Sequence, residues 1–387
     1  MYQKYRTIFH GKPMPFAYVD LDLLDANIQQ ILKRSQGMPI RVASKSVRCV
    51  AILKRIFAAN PAFQGVMCYT PSEAVYLSKH GFDDLLVAYP CWHESQITAV
   101  CEQIRAGKSI TLMVDSIEHI QHLETLAARH DVTLSLCLDI DLSMDLPGLH
   151  FGVWRSSIFT VKDALNVADA IIGSPHLRLD GIMGYEAQIA GLGDKNGGAR
   201  SAVIRLLKRR SIPQIAERRK AIVEALKTRG VTLRFVNGGG TGSVESTIRE
   251  DAVTEVTVGS GFYAPGLFDH YQAFKHQPAA GFAIEIVRHP KPEIYTCLGG
   301  GYIASGSTDK VKQPVPYLPV GAKLTDLEGA GEVQTPVVYQ GSEKLSLGDP
   351  VFLRHSKAGE LCEHFNQLYL ISQGQIVDQV PTYRGEG

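Results

Sequence analysis

The chain has no uninterrupted apolar run approaching the ~20 residues that a membrane-crossing helix needs. Its opening stretch, MYQKYRTIFHGKPMPF, lacks the apolar segment of a secretory signal. A charge excess is missing too. Forty Lys and Arg face 39 Asp and Glu, leaving a formal charge of +1, so no broad field draws the chain to nucleic acid or to an anionic membrane. Seven cysteines, an odd number without paired spacing, fit a reducing compartment better than a disulfide framework. No internal repeat or low-complexity tract is present. What remains is the ordinary balance of a soluble, cytoplasmic globular protein, with 45% hydrophobic and 20% charged residues. A length of 387 residues suggests about two or three domains.

Short β-rich runs alternate with amphipathic helical stretches from about residue 40 to 258. Strands are expected at 40–44, 65–68, 85–88, 110–114, 133–139, 180–184, 232–236 and 254–258. Their near-continuous apolar character suits a parallel sheet buried on both faces. Thr70-Pro71-Ser72-Glu73 is a capping box closed by Gly81, Asp115 with Glu118 opens the next helix, and Asp20 or Asp22 caps an earlier one. Eight βα units in one stretch favour an α/β fold of the (β/α)8 TIM-barrel type over an open sheet. After about residue 272 the texture changes to short strands, FAIEIVR, EIYTCL, TPVVYQ and VFLRHS, between Gly/Pro-rich turns. The expected division is a barrel over 14–271 and an antiparallel β domain over 272–387 joined by 1–13, with PTYRGEG as a polar tail.

Barrel enzymes place their reactive groups at the carboxyl ends of strands. Lys45 falls immediately after the first strand, where partial desolvation makes an amine a competent nucleophile. Asn237-Gly238-Gly239-Gly240-Thr241-Gly242-Ser243 follows the seventh strand and Gly259-Ser260-Gly261 the eighth, where barrels commonly bind phosphate. A strand-one lysine opposite a phosphate cup after strands seven and eight is what pyridoxal 5'-phosphate requires.

The segments FAYVDLDLLDANI, RVASKS, CYTPSEAVYLSKHGFDDLLVAYP, LDGIMGYEAQ and VNGGGTGS run in one order over nearly the whole chain. In them the chain resembles the fold type III pyridoxal-phosphate enzymes, in the branch of D-threonine aldolase and D-serine dehydratase, with alanine racemase a more distant relative. The resemblance implies an alanine racemase-like barrel with Lys45 as the Schiff-base lysine and Tyr185 against the cofactor ring. It implies that Gly240, Thr241, Gly242, Gly259 and Ser260 hold the phosphate. Thr257 stands where alanine racemase turns an arginine to the pyridine nitrogen. His150, in His150-Phe151-Gly152-Val153, stands where many members have an arginine near the phenolic oxygen. A D-amino acid substrate and a homodimer follow from the same resemblance. So does a divalent metal, held in relatives by a His and, two residues on, a Cys or Asp. Position 357 is lysine here, so His355 and Cys362 are the expected ligands, with Glu363 or His364 in reserve, and zinc suits that pair.

The leading expectation is therefore a lyase of D-3-hydroxy amino acids, either a dehydratase/deaminase or an aldolase. One rival is an amino acid racemase, for which Tyr295, Tyr302 or Tyr317 could supply a second base. The other is a non-catalytic carrier of pyridoxal phosphate, which the additional β domain argues against. Outside these motifs, Gly299-Gly300-Gly301 reads as a turn and His10, His119, His122 and His130 as surface or interface residues. Lys208-Arg209-Arg210 reads as a solvated helix start, and Cys68, Cys91 and Cys137 as core thiols.

Overall fold

Eight parallel strands close a barrel: β1 (Ile40–Ala43), β2 (Phe63–Cys68), β3 (Leu85–Val87), β4 (Ile110–Val114), β5 (Leu134–Asp139), β6 (Leu177–Gly184), β7 (Phe235–Gly238) and β8 (Glu255–Val258). β8 pairs back onto β1, so no edge is left open. The computed structural model describes residues 1–195, 197–306 and 309–383. All eight expected strands form, and β1, β3 and β4 are buried almost throughout, as a sheet covered on both faces requires.

The helix caps follow local chemistry. Asp20, not Asp22, caps helix Leu21–Ser35 by accepting from the N–H groups of Asp22 and Leu23. Thr70 accepts from Glu73 N–H, while Glu73 reaches one residue further back, to Tyr69 N–H. The helix expected to open at Asp115 is capped by Ser116, because Asp115 turns away to pair with His119 at 3.0 Å. No helix among the described residues is long and apolar enough to cross a membrane.

The barrel interior is layered. At the amino-terminal end Arg41 holds Glu255 and Asp84, and Arg234 holds Asp84 and Asp180. Above that girdle Leu86, Met113, Cys137, Met183 and Phe235 form an apolar plug. Both guanidinium groups lie about 5 Å from the Phe235 ring, so the charged layer also packs against the plug. A floor sealed in this way leaves only the carboxyl end of the barrel for ligands.

The second sheet corrects the expected domain boundary. Strand Phe16–Asp20, placed within 14–271 by the sequence, pairs antiparallel with Ala280–Lys291 and parallel with Gln367–Ser372. Its aromatic residues decide the matter: Phe16 and Tyr18 pack with Tyr2, Tyr5, Phe9 and Phe352 in a cluster separate from the barrel core. The four expected C-terminal runs form the strands Ala280–Lys291, Ile294–Leu298, Gln334–Val338 and Pro350–Arg354. The polar tail is only partly polar. Arg384 to Gly387 lie outside the described residues, while Tyr383 is buried and donates its hydroxyl to Glu73 at 2.8 Å.

Candidate active site

One cavity of about 560 Å³ opens at the carboxyl end of the barrel. Lys45, His150, Tyr185, Gly240, Thr241, Thr257, Gly259 and Ser260 all line it. Gly242 does not. A side chain there would strike the Ala190 carbonyl at 2.5 Å, so this glycine lets the loop pack beneath the cavity wall rather than face its interior.

Lys45 sits in the 3-10 turn Ser44–Ser46 that ends β1. Its side chain lines the cavity and forms no ion pair among the described residues. From the β domain, Gly359 packs directly on this turn, and any Cβ at 359 would overlap the Lys45 carbonyl oxygen. Behind it Glu73 is fully buried, and accepts from Tyr69 N–H and Tyr383 O–H at 2.8 Å each. Burial outweighs those bonds and pushes its carboxyl up to about 7. The folded state therefore binds the extra proton between the ordinary value of 4.5 and about 7, and stability from this group falls as pH rises through that window. Glu73→Gln should lose less stability than the parent between about pH 5 and about pH 8, read from urea midpoints. An identical pH slope in both proteins would reject a raised Glu73.

The two glycine loops form the cup. Ser46 Oγ and Ser260 Oγ lie 3.1 Å apart, and Thr241 Oγ1 accepts from Gly261 N–H at 3.0 Å, tying one loop to the other. At Gly259 a Cβ would meet both Ala43 Cβ and Ser46 Oγ at 2.8 Å, and at Gly240 one would press on Tyr185 at 3.1 Å. The first loop is anchored from below: Glu186 accepts from Gly239 N–H at 2.8 Å and from Thr247 Oγ1 at 2.6 Å, and Arg219 holds Glu186 at 3.3 Å.

Thr257 ends a polar relay. Arg41 holds Glu255 at 2.6 Å, Asn237 Nδ2 donates to Glu255 at 2.8 Å, and Thr257 Oγ1 donates to Asn237 Oδ1 at 3.0 Å. Asn237 Nδ2 also donates to Thr257 Oγ1 at 2.9 Å, so the amide fixes this neutral hydroxyl at the cavity wall. His150 is oriented in a comparable way. Its Nδ1 lies 2.7 Å from Asp145, its ring stacks on Trp154 at 3.7 Å, and its Nε2 is buried without a partner. The ring forms part of the cavity wall, with Nδ1 turned to Asp145 and Nε2 shielded from solvent.

Arg155 was missed from sequence. It lines the cavity with its guanidinium 5.2 Å from the Tyr185 ring and 5.6 Å from that of Tyr89. It lies in a loop and carries no periodicity; the cue was an arginine five residues after His150. It supplies a fixed cation to the wall where the motif substitutes a histidine for one. Tyr185 itself is half-buried, and burial pushes its hydroxyl up to about 12.

Residues 19–265 match the family model described as the alanine racemase N-terminal domain. The chain belongs to that family. Over 251 residues it is 25% identical to a 3-hydroxy-D-aspartate aldolase of Paracoccus denitrificans (strain Pd 1222), a match spanning 64% of this chain and 59% of the aldolase. Its fold is that of a D-threonine aldolase from Filomicrobium marinum, with a TM-score of 0.83 at 18% identity over 96% of this chain and 95% of that one. A D-threo-3-hydroxyaspartate dehydratase from Delftia sp. HT23 gives 0.79 at 18% identity over 97% and 98%. An alanine racemase from Clostridium difficile 630 gives 0.67 at 14% over 96% and 99%.

The lysine, the facing ring wall and the side-chain-free cup suit the pyridoxal phosphate of this alanine racemase-like fold. The expected metal ligands do not assemble. His355 Nε2 is spent on the Ala358 carbonyl at 2.7 Å, and Cys362 Sγ points to the Val47 carbonyl at 3.4 Å. Burial holds the His355 imidazole down near 4, hence neutral, and keeps the Cys362 thiol protonated. Among the described residues no three His, Cys, Asp or Glu side chains gather as a metal would need. The reason is local: the helix Leu361–His364 carries Cys362 under the barrel turn while His355 stays at the end of strand Pro350–Arg354. The His355 Nδ1 and Glu360 Oε2 atoms are buried without partners, and both residues line a void of about 10 Å³, room for about one water.

Other expectations change as well. Lys208 is not a solvated helix start. It lies inside helix Gly198–Thr228 and donates to the Leu192 carbonyl at 2.6 Å and to Asp194 at 3.2 Å, latching a loop at the cavity rim. Tyr295, Tyr302 and Tyr317 are absent from the cavity lining of their own chain.

Proposed function

We propose that the protein is a pyridoxal-phosphate-dependent lyase of D-3-hydroxy amino acids, acting by dehydration and deamination or by retro-aldol cleavage. The observation that carries this reading is the meeting of Lys45, the two glycine loops, Arg155 and His150 around one cavity. The named activity of the Paracoccus relative points the same way. When bound, the cofactor supplies an electron sink for the charge that develops at the substrate Cα.

This chain's residues do the rest. Thr241, Ser260 and their glycine neighbours seat the phosphate, Tyr185 walls the ring, and Thr257 offers a neutral hydroxyl to the ring nitrogen. Arg155 orients the α-carboxylate. Lys45 Nζ holds the cofactor and then serves as the amine that takes the Cα proton in dehydration. His150 takes the β-hydroxyl proton in retro-aldol cleavage; in dehydration the Lys45 ammonium, having taken the Cα proton, passes it to the departing hydroxide. No step is assigned to a metal. A soluble cytoplasmic homodimer belongs to the same reading, one subunit's β domain closing the other's barrel mouth.

The test is a turnover screen of cofactor-loaded protein against D-serine, D-threonine, D-threo-3-hydroxyaspartate and D-alanine. Ammonia plus a keto acid identifies a dehydratase, and glycine plus an aldehyde or glyoxylate an aldolase. Inversion of alanine alone would replace this reading with a racemase, and silence with cofactor bound would replace it with a carrier.

A further inference from the structure

The cavity holds more positive charge than a cofactor and an α-carboxylate use. Among the described residues its lining includes no aspartate or glutamate, whereas Lys45, Arg155, Lys312 and Lys357 all reach it. Lys45 is committed to the cofactor, the glycine loops meet the phosphate, and Arg155 stands on the barrel side against Tyr185. Two ammonium groups are left over, both from the β domain.

Neither Lys312 nor Lys357 has an ion pair among the described residues, although Lys310 beside them pairs with Asp326 at 3.0 Å. Lys357 Nζ makes two long contacts, 3.3 and 3.4 Å, to Ser305 Oγ and its carbonyl. A third N–H remains for the cavity. Lys357 feels the charges of Lys312 and Lys45, offset in part by Glu360, whose Oε1 accepts from Ser305 N–H rather than pairing with either lysine. Like charges gathered with only partial compensation cost free energy that an arriving anion recovers.

Position also matters. Lys357 and Ala358 line the cavity, and Gly359 is pressed on the Lys45 turn. Lys357 therefore stands near the Lys45 turn, on the loop where the sequence suggested a metal, with Lys312 on the same cavity wall.

We propose that Lys312 and Lys357 form a metal-free subsite for a second anionic group of the substrate, a carboxylate at the end of a short side chain, so that acidic 3-hydroxy amino acids are the preferred class. The proposal rests on the lyase reading for the 3-hydroxyl but on the cavity alone for the anion.

The experiment is calorimetric binding of D-aspartate and of the neutral D-2-aminobutyrate to cofactor-loaded enzyme, in chelator, for the parent, Lys312→Gln, Lys357→Gln and Lys357→Arg. Neither ligand has a 3-hydroxyl, so binding is read without lyase turnover. The parent should favour D-aspartate by roughly tenfold or more. Each glutamine variant should erase most of that preference with neutral binding held within about twofold, and the arginine variant should keep part of it. Equal affinity for both ligands in the parent overturns the subsite. So does an equal loss for both in Lys357→Gln, or a preference that vanishes in chelator and returns with zinc. An acid preference without turnover of any D-3-hydroxy substrate supports the subsite and removes the lyase reading. Turnover without an acid preference does the reverse.

Discussion

Lys45→Ala should lose ~10⁵-fold or more in turnover, the scale on which removing a nucleophile that works as a unit with its neighbours is felt. The expectation rests on the position of the amine, since Lys45 is the side chain of the β1 turn that brings a nucleophilic nitrogen to the cavity. Borohydride reduction of loaded enzyme followed by peptide mass spectrometry should place the cofactor on Lys45 in the parent and nowhere in the variant. The absorbance of the bound cofactor near the visible edge should vanish with it. The variant should keep its unfolding midpoint, because the turn is held by Gly359 and by the Ser44 contact to Met67 rather than by the amine. Retained covalent cofactor in Lys45→Ala would sink the assignment.

Arg219→Met should cost about 3–5 kcal/mol of stability, the usual result of leaving buried carboxylates without their cation. Arg219 is fully buried, contacts Glu186, Glu250 and the Gly184 carbonyl, and through Glu186 fixes the Gly239 N–H of the phosphate loop. Urea unfolding reads the first effect, and a weaker cofactor Kd reads the second. Adding Glu186→Gln should restore part of the stability, since one orphaned charge is gone, yet leave the cofactor weakly held because the loop anchor stays altered. Full recovery of both would mean that Arg219 acts on folding alone.

The barrel was legible because parallel strands buried on both faces write continuous apolar runs, and Thr70, Asp20 and the glycine loops announce their own local geometry. Much of the cavity lining was legible for the same reason, since Lys45, Tyr185, Gly240 and Gly259 each follow a strand end in chain order. What could not be read was anything decided by tertiary contact. The Phe16–Asp20 strand looks like an entry to the first helix until its partners from beyond residue 280 are seen. Lys208 belongs to a basic run, and only the folded loop shows that its ammonium caps Leu192. The expected pairing of His355 with Cys362 assumed that the loop between them could bring them together, but Cys362 sits in a single helical turn that aims the thiol elsewhere. Arg155 lies in an irregular loop, where no period marks which side chains turn inward.

The parallel pairing of Phe16–Asp20 with Gln367–Ser372 makes the barrel dependent on the sheet beside it. The family match begins at Val19, inside that strand, and ends at Pro265, before the sheet that completes it. Cut out at those borders, the barrel would carry part of a strand stripped of both neighbours and a lysine turn without the glycine that seats it. An excised barrel of that length would therefore lack the support of its own reactive turn, and the loop that gives this support also carries Lys357.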